Sequence, residues 1–216
     1  MVDLRGGRTI GLRERKKRQT RATLLSAAVE LCEEQGFERT TVDQIAAIAN
    51  VSPRTFSRYF PTKEAIALAL IDDVLAITAA ELARQPLDMC LYDAIRRAYV
   101  ATAIACREGR RDALPAPRLL QLLRILMTSP VLRTAAVEFR VNAVDMVVAQ
   151  RLGVGVDDRR VKLAAGVTGA LMMTALESLA DNLTSLDAMT VDDVIDAYEA
   201  TFAEFTSEIA GIGQPV

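Results

Sequence analysis

Residues 41–60, with the sequence TVDQIAAIANVSPRTFSRYF, begin with the signals of a short helix. Thr41 is followed three residues later by Gln44, which is the spacing of a capping box, where each side chain satisfies a free backbone N–H. Apolar residues then recur at helical spacing until Asn50, a residue type that tolerates the left-handed backbone conformation found at helix ends. The stretch therefore predicts a helix over residues 42–49, followed by a tight turn.

A second short helix is predicted directly after that turn. Ser52 is a favourable N-cap, and Pro53 suits the first helical position because its missing N–H needs no partner there. Phe56 and Phe60 are four residues apart and should both pack inward. With the second helix over residues 53–59, the stretch has the layout of a helix-turn-helix, whose second helix enters the DNA major groove.

The outer face of this second helix carries Arg54, Ser57 and Arg58 at spacing i, i+3 and i+4. An arginine in the first turn can donate to both O6 and N7 of guanine, which discriminates between bases by ~1–3 kcal/mol. Flanking donor side chains and helix starts suit contacts to phosphate, which fix the register on DNA. A solvated amphipathic helix pair without a ligand is the alternative interpretation.

Charge is distributed unevenly along the 216 residues. Residues 1–63 contain 12 Lys and Arg against 7 Asp and Glu, whereas residues 64–216 contain 14 against 21. The net charge of −2 therefore combines a basic first third with an acidic remainder. This asymmetry indicates that the first third contacts a polyanion, with chance clustering in a flexible tail as the alternative.

The composition argues against several classes of function. The chain contains no His, which removes His-based triads, His general bases and most zinc sites. Cys32, Cys90 and Cys106 lie singly among apolar residues and are interpreted as buried, reduced side chains of a cytoplasmic protein. Charges interrupt the apolar stretches within ~18 residues, so no membrane-spanning helix is expected. We therefore expect no enzyme activity, no metal site and no cofactor.

An all-α fold is predicted for the whole chain. Ala and Leu dominate, whereas the 11 Gly and 7 Pro are sparse, which favours helix over strand. Residues 1–15 contain three Gly and no helical stripe, which predicts a flexible basic arm. A first helix should then begin near Lys16 and end at Gly36. Further helices are expected at about 62–84, 88–108, 116–128, 130–152, 157–182 and 191–210.

Residues 21–70, RATLLSAAVELCEEQGFERTTVDQIAAIANVSPRTFSRYFPTKEAIALAL, resemble the DNA-binding region of the TetR family of bacterial transcriptional regulators. They contain, in order and with the spacing kept, an apolar helix, a Gly-aromatic-x-x-Thr-Thr step, Ile-Ala, Val-Ser and an aromatic run before Lys-Glu. The resemblance implies about nine helices: a DNA-binding domain at 16–62 with three helices and a larger effector-binding and dimerisation domain at 63–216.

The resemblance also assigns positions that contact DNA. Arg54, Ser57 and Arg58 fall at base-facing positions, and Lys17 and Arg21 follow the backbone or the minor groove. Asn50, Arg54 and Ser57 depart from the residues usual in the family, which bears on the operator sequence. The complete predicted DNA-contacting set is Lys17, Arg21, Thr41, Ser52, Pro53, Arg54, Thr55, Ser57, Arg58, Tyr59 and Lys63.

Dimerisation is the first function that the resemblance implies for the acidic remainder. Small residues on one face of the 157–182 helix allow close helix approach across a two-fold axis, which predicts a homodimer and a palindromic operator. An intramolecular core is the alternative use of the same residues. The predicted interface comprises Ala165, Gly169, Met172, Leu176, Val194, Tyr198, Phe202 and Phe205.

Sensing of a small molecule is the second implied function. Met side chains suit an adaptable apolar pocket, and polar or aromatic neighbours can orient a ligand there. Plain core packing is the alternative for each Met. The predicted ligand-binding residues for an apolar effector are Tyr99, Met127, Phe139, Asn142, Met146, Met173 and Glu177.

These expectations combine into one predicted function. The chain is expected to be a ligand-responsive repressor that binds double-stranded DNA as a homodimer. A DNA-binding protein without an effector, acting structurally or through a partner protein, is the alternative.

Overall fold

The computed structural model describes residues 11–137 and 141–210. Within these ranges the chain forms ten α-helices and one short 3-10 helix, and the predicted all-α fold is confirmed. The helices are α1 (Leu12–Gln35), α2 (Val42–Ile48), α3 (Pro53–Tyr59), α4 (Lys63–Arg84), α5 (Leu91–Arg107), α6 (Ala116–Thr128), α7 (Pro130–Val137), α8 (Ala143–Leu152), α9 (Arg159–Asn182) and α10 (Val191–Ala210), with the 3-10 helix at Leu186–Ala188.

The chain divides into two compact units, Met1–Ile66 and Ala67–Val216, and the boundary falls within α4. In the first unit α1 packs against α2, and α2 packs against α3. Apolar side chains from these helices and from the α1–α2 loop form the core of this unit, including Leu24, Ala28, Phe37, Ile45, Phe56 and Phe60.

Local capping fixes the ends of the short helices, as predicted. Gln44 N donates to Thr41 Oγ1 at 3.2 Å, and Thr41 N donates to Gln44 Oε1 at 2.9 Å, which closes the capping box of α2. Asn50 adopts φ +53°, and Ser52 Oγ accepts from Thr55 N at 3.1 Å. The turn between α2 and α3 is therefore set by residues within a few positions of it.

The first helix begins earlier than predicted. Residues 12–15 belong to α1, so the expectation of a flexible arm is wrong for them, while residues 1–10 lie outside the described residues. Leu and Arg favour helix, and the last Gly of the segment, Gly11, precedes the first helical residue. Glu14 and Arg18 also form an i,i+4 ion pair at 3.6 Å.

The single helix predicted over 130–152 is also wrong, because α7 ends at Val137 and α8 begins at Ala143. Asn142 is the N-cap of α8: its Oδ1 accepts from Val144 N at 2.8 Å, and Asp145 Oδ2 accepts from Asn142 N at 2.9 Å. Asn-x-x-Asp thus forms a capping box, a local start signal that the periodicity of the surrounding apolar residues concealed.

The second unit is built around α9, which packs against α5, α6, α7, α8 and α10. Two ion pairs link α5 to α10: Arg107 with Asp192, and Arg96 with Glu199 at 2.6 Å. By length and composition, α9 is the one helix in the described ranges that meets the criteria for a membrane span, which core helices of soluble proteins also meet.

The three cysteines are free thiols with different exposure. Cys106 is buried, Cys32 is half-buried and Cys90 is exposed just before α5. The expectation of a buried side chain is therefore wrong for Cys90.

Candidate DNA-binding surface and effector cavity

The amphipathic sequence of α3 fixes which of its side chains reach solvent. Phe56 and Phe60 are buried at 1% and 4% exposure, with ring centroids 5.9 Å apart, so this side of α3 is held in the core of the first unit. Arg54, Ser57 and Arg58 are exposed together on its other side. The predicted base-facing residues therefore share one accessible surface.

Neighbouring aromatic rings pack against two of the basic side chains. The Arg58 guanidinium lies 5.4 Å from the centroid of Tyr59, and that of Arg21 lies 5.7 Å from the centroid of Phe60. Stacking of this kind restricts the motion of a long side chain. Lys17 is exposed on α1.

The Ser and Thr side chains of the predicted DNA-contacting set make local hydrogen bonds, two of them as helix caps. Thr41 and Ser52 are exposed N-caps of α2 and α3, and Ser52 Oγ lies 3.0 Å from Thr55 Oγ1. Ser57 Oγ donates to the Pro53 carbonyl at 3.1 Å. These bonds orient the hydroxyls, and contact with phosphate stays a prediction for them, for Pro53 and for half-buried Tyr59.

Lys63 has a structural contact that the sequence did not indicate. Its Nζ donates to the Phe37 carbonyl at 2.9 Å and lies 4.2 Å from the centroid of the Phe37 ring. A second carbonyl, that of Glu38, lies at 3.4 Å. The side chain thus joins the start of α4 to the α1–α2 loop within the first unit.

The second unit contains a cavity of about 410 Å³ with walls from all seven of the helices α4–α10. Of the predicted ligand-binding residues, Tyr99, Asn142 and Met173 line it. Most of the wall is aliphatic, with examples on α4 and α6 such as Ile71, Leu75, Leu119 and Leu123. These side chains could not be predicted from the sequence, because an aliphatic residue beside a cavity has the same periodicity as one in a solid core.

Two tyrosines form the aromatic part of this cavity wall. The rings of Tyr99 and Tyr198 lie 5.7 Å apart. Burial raises the pKa of both phenols well above the ordinary value; for Tyr99 the nearby Asp145 carboxylate adds to the shift. Both side chains are therefore neutral hydrogen-bonding groups at physiological pH.

The other predicted ligand-binding residues lie elsewhere. Met127 and Glu177 line a smaller cavity of about 110 Å³, which shares Leu126, Met173 and Leu176 with the large one. Met146 is 62% exposed and lines neither of these two cavities, and ligand binding stays a prediction for it. Phe139 lies outside the described residues.

The predicted dimer-interface residues lie on the inner sides of α9 and α10. Six of them line the large cavity: Ala165, Gly169, Met172, Leu176, Val194 and Tyr198. Phe202 and Phe205 pack on each other with centroids 6.3 Å apart, and Phe205 also contacts Tyr92. The chain's own helices bury Leu176, Val194, Tyr198 and Phe202, as the alternative of an intramolecular core predicts.

Known proteins resemble this chain at two scales: a family model matches its helix-turn-helix region, and a relative matches about two thirds of its length. The model for bacterial regulatory proteins of the tetR family matches residues 24–70. The HTH-type transcriptional regulator TcmR of Streptomyces glaucescens is 34% identical over 154 residues, covering 68% of this chain and 67% of TcmR. RutR of Escherichia coli is 37% identical over 75 residues, which is 35% of each protein.

Two solved structures have a similar fold. FadR of Thermus thermophilus, a repressor crystallised with lauroyl-CoA, gives a TM-score of 0.51 at 24% identity, covering 91% of this chain and 96% of FadR. SmeT, the repressor of the Stenotrophomonas maltophilia efflux pump SmeDEF, gives 0.50 at 22%, covering 85% and 89%. The extended match to TcmR, together with the matched helix-turn-helix, assigns the family: the chain belongs to the TetR family of bacterial regulatory proteins and is a helix-turn-helix transcriptional regulator.

Proposed function

We propose that this protein is a cytoplasmic, homodimeric repressor that binds a palindromic operator and releases it when an apolar small molecule enters the large cavity. The cavity of about 410 Å³ is the observation that carries the effector part of the proposal, because apolar pockets of this size take small-molecule ligands. A second unit with a solid core would instead favour a DNA-binding protein without an effector.

The first unit supports sequence-specific binding to DNA. Arg54 lies in the first turn of α3, is exposed and belongs to the surface formed with Ser57 and Arg58. This is the end of a recognition helix that approaches base edges, where an arginine can bind guanine through two hydrogen bonds.

The outer side of α9 supports the homodimer. Although α9 is long and apolar, only 28% of its most apolar 18-residue segment is buried within its own chain. Five of its exposed residues recur at spacing three or four: Leu163, Gly166, Ala170, Thr174 and Ser178, of which Gly166 also borders the large cavity. Mostly small side chains allow close approach of a second copy, so we assign the dimer interface to this stripe in place of the inner residues.

Helix α4 supports a route from effector to DNA. Ile71, Val74 and Leu75 of α4 line the cavity, whereas its first residues belong to the first unit. An effector that binds more tightly to one orientation of α4 than to another favours that orientation. In a homodimer this changes the distance between the two recognition helices that bind the operator half-sites. An effector with equal affinity for both orientations does not change the equilibrium between them.

The DNA-binding part is tested by fluorescence anisotropy with the DNA upstream of the protein's own gene, at several salt concentrations. Wild type should bind tightly with a steep salt dependence, and Arg54→Ala should lose ~1–3 kcal/mol on that sequence but little on unrelated DNA. Arg97→Ala is the matched control because Arg97 is exposed on α5 in the second unit. Equal, weak binding of wild type and Arg54→Ala to every DNA would contradict the proposal.

A further inference from the structure

Three hydroxyl groups in the wall of the large cavity have no hydrogen-bond partner among the described residues. They belong to Tyr99 on α5, Thr168 on α9 and Tyr198 on α10. Thr168 and Tyr198 are only 5% and 3% exposed. Buried polar groups in folded proteins are almost always hydrogen-bonded, so unpartnered hydroxyls beside a cavity indicate a ligand group that pairs with them.

The other polar side chains of this wall have partners in the chain. Thr102 Oγ1 lies 3.1 Å from Thr78 Oγ1, and Asn142 Oδ1 accepts from backbone N–H groups at the start of α8. The charged residues Asp145 and Lys162 also make interactions of their own. Interactions within the chain therefore account for these groups, whereas in the described ranges they do not account for the three hydroxyls.

The three helices that carry these hydroxyls pack against one another. Helix α10 contacts both α9 and α5, and α5 contacts α9. The rings of Tyr99 and Tyr198 lie 5.7 Å apart, and both belong to one apolar cluster with Met172, which lies one turn after Thr168 on α9. The hydroxyl-bearing residues therefore share one region of the cavity wall.

The part of the wall that comes from α4 and α6 is entirely aliphatic. Helix α4 contributes Ile71, Val74 and Leu75, and α6 contributes four leucines. A ligand that extends through the cavity therefore meets hydrocarbon in one region and hydroxyl groups in another.

We infer that the effector is a lipophilic molecule with an uncharged oxygen acceptor, such as a ketone, which binds the hydroxyls of Tyr99, Thr168 and Tyr198 while its hydrocarbon part contacts α4 and α6. The inference rests on the proposed effector function and narrows it to a chemical class. Burial raises the pKa of both phenols, so they remain protonated donors at neutral pH. A hydrocarbon of the same shape would leave the hydroxyls buried without partners, which weakens its binding.

A ketone and its parent hydrocarbon test this selection. Fluorene and 9-fluorenone have the same rings and differ where a CH₂ group is replaced by a carbonyl. Each is titrated into the full chain against bound N-phenyl-1-naphthylamine, a fluorescent reporter, so that displacement gives its dissociation constant. Hydrophobicity alone favours fluorene, because removing a carbonyl from water costs free energy. We expect fluorenone to bind wild type at least about threefold more tightly, since the hydroxyls pair with its oxygen.

A variant that removes the hydroxyls but keeps the side-chain shapes identifies the cause. The combined substitution Tyr99→Phe, Thr168→Val and Tyr198→Phe should weaken binding of fluorenone about tenfold and should not weaken binding of fluorene, so the preference reverses. Thermal melts should show the variant at least as stable as wild type, because it loses no hydrogen bond within the described ranges. Tyr92→Phe, at a tyrosine that lines neither of these two cavities, should change neither constant.

The outcomes separate the inference from the proposed function. If N-phenyl-1-naphthylamine does not bind wild type, the cavity does not take lipophilic ligands and the effector function fails. If the reporter and fluorene bind but wild type has no preference for fluorenone, the effector function stands and the role of the hydroxyls is overturned. The same conclusion follows if the combined variant binds fluorene, which shows an intact cavity, and keeps the preference for fluorenone.

Discussion

Lys63 donates a hydrogen bond to the backbone carbonyl of Phe37 at 2.9 Å, and its ammonium group lies 4.2 Å from the centroid of the same residue's ring. One cation thus satisfies a loop carbonyl and covers an aromatic face. Family resemblance assigns Lys63 to phosphate, whereas this geometry makes it a support of the α1–α2 loop.

Replacing Lys63 by Met should lower the free energy of unfolding by about 1–2 kcal/mol, because a charged hydrogen bond and a cation–π contact are lost together. Urea denaturation followed by circular dichroism measures this. Lys17→Met, at an exposed position of α1, should leave stability unchanged. If Lys63→Met weakens DNA binding without any loss of stability, the support role is refuted and the phosphate role favoured.

The turn of the helix-turn-helix depends on the backbone conformation of Asn50. Its φ of +53° makes it the single non-Gly residue with positive φ in the described ranges. Asn50→Ala should cost about 1 kcal/mol, because a β-carbon without a local polar side chain is disfavoured there, whereas Asn50→Gly should be close to neutral. Equal midpoints for the Ala and Gly variants in chemical denaturation would contradict this account.

A buried carboxylate joins the end of α4 to the α5–α6 loop. Glu81 is 6% exposed, and its Oε1 lies 2.6 Å from Arg84 Nη1 and 3.2 Å from Arg110 Nη2. Glu81→Gln should lower the free energy of unfolding by about 1–3 kcal/mol, because the oxygen that accepts from Arg84 and Arg110 loses its negative charge. Glu108→Gln, at an exposed position, is the matched control for thermal melts and should behave as wild type.

Gly169 offers a way to fill the cavity without disturbing the fold. It lines the cavity in α9, and a β-carbon added there meets nothing within 4 Å. Gly169→Ala should therefore raise stability by about 0.5–1 kcal/mol through helix propensity alone. Gly169→Leu should occupy part of the open volume and weaken binding of N-phenyl-1-naphthylamine, a neutral apolar fluorescent probe of the cavity. Unchanged probe binding by a folded Leu variant would mean that the probe occupies another site.

The proposed dimer interface is tested by placing a charge on the exposed stripe of α9. Ala170→Arg should convert the dimer to monomer in size-exclusion chromatography with light scattering, because two-fold symmetry brings both arginines to the same interface, a repulsion of several kcal/mol. Ala22→Arg makes the same change at an exposed position of α1 and should stay dimeric. A dimeric Ala170→Arg variant would place the interface elsewhere.

The helix-turn-helix could be predicted in detail because its signals are local. The capping box at Thr41, the left-handed Asn50 and the Ser52 cap each act within four residues, and the structure contains all three. The start of α8 was equally local, since Asn142 and Asp145 form the same kind of box. It was missed because the apolar periodicity on both sides supported one continuous helix.

The inner and outer sides of α9 could not be assigned from sequence. This helix has small and apolar residues around most of its circumference, so periodicity selects no single face, and the cavity side and the solvent side have similar sequence patterns. Leu176 and Tyr198 are buried because helices far apart in the chain cover them. Such coverage depends on the packing of several helices at once.

The sequence by itself therefore determined the all-α class, the helix-turn-helix and the exposed basic face of α3, since short-range capping, turn conformation and amphipathicity specify them. Only the tertiary structure decided which residues line the cavity and that Lys63 holds a loop. Those relationships join segments that are distant in sequence. The sequence around an apolar or charged residue does not indicate which distant residue it will contact once the helices pack.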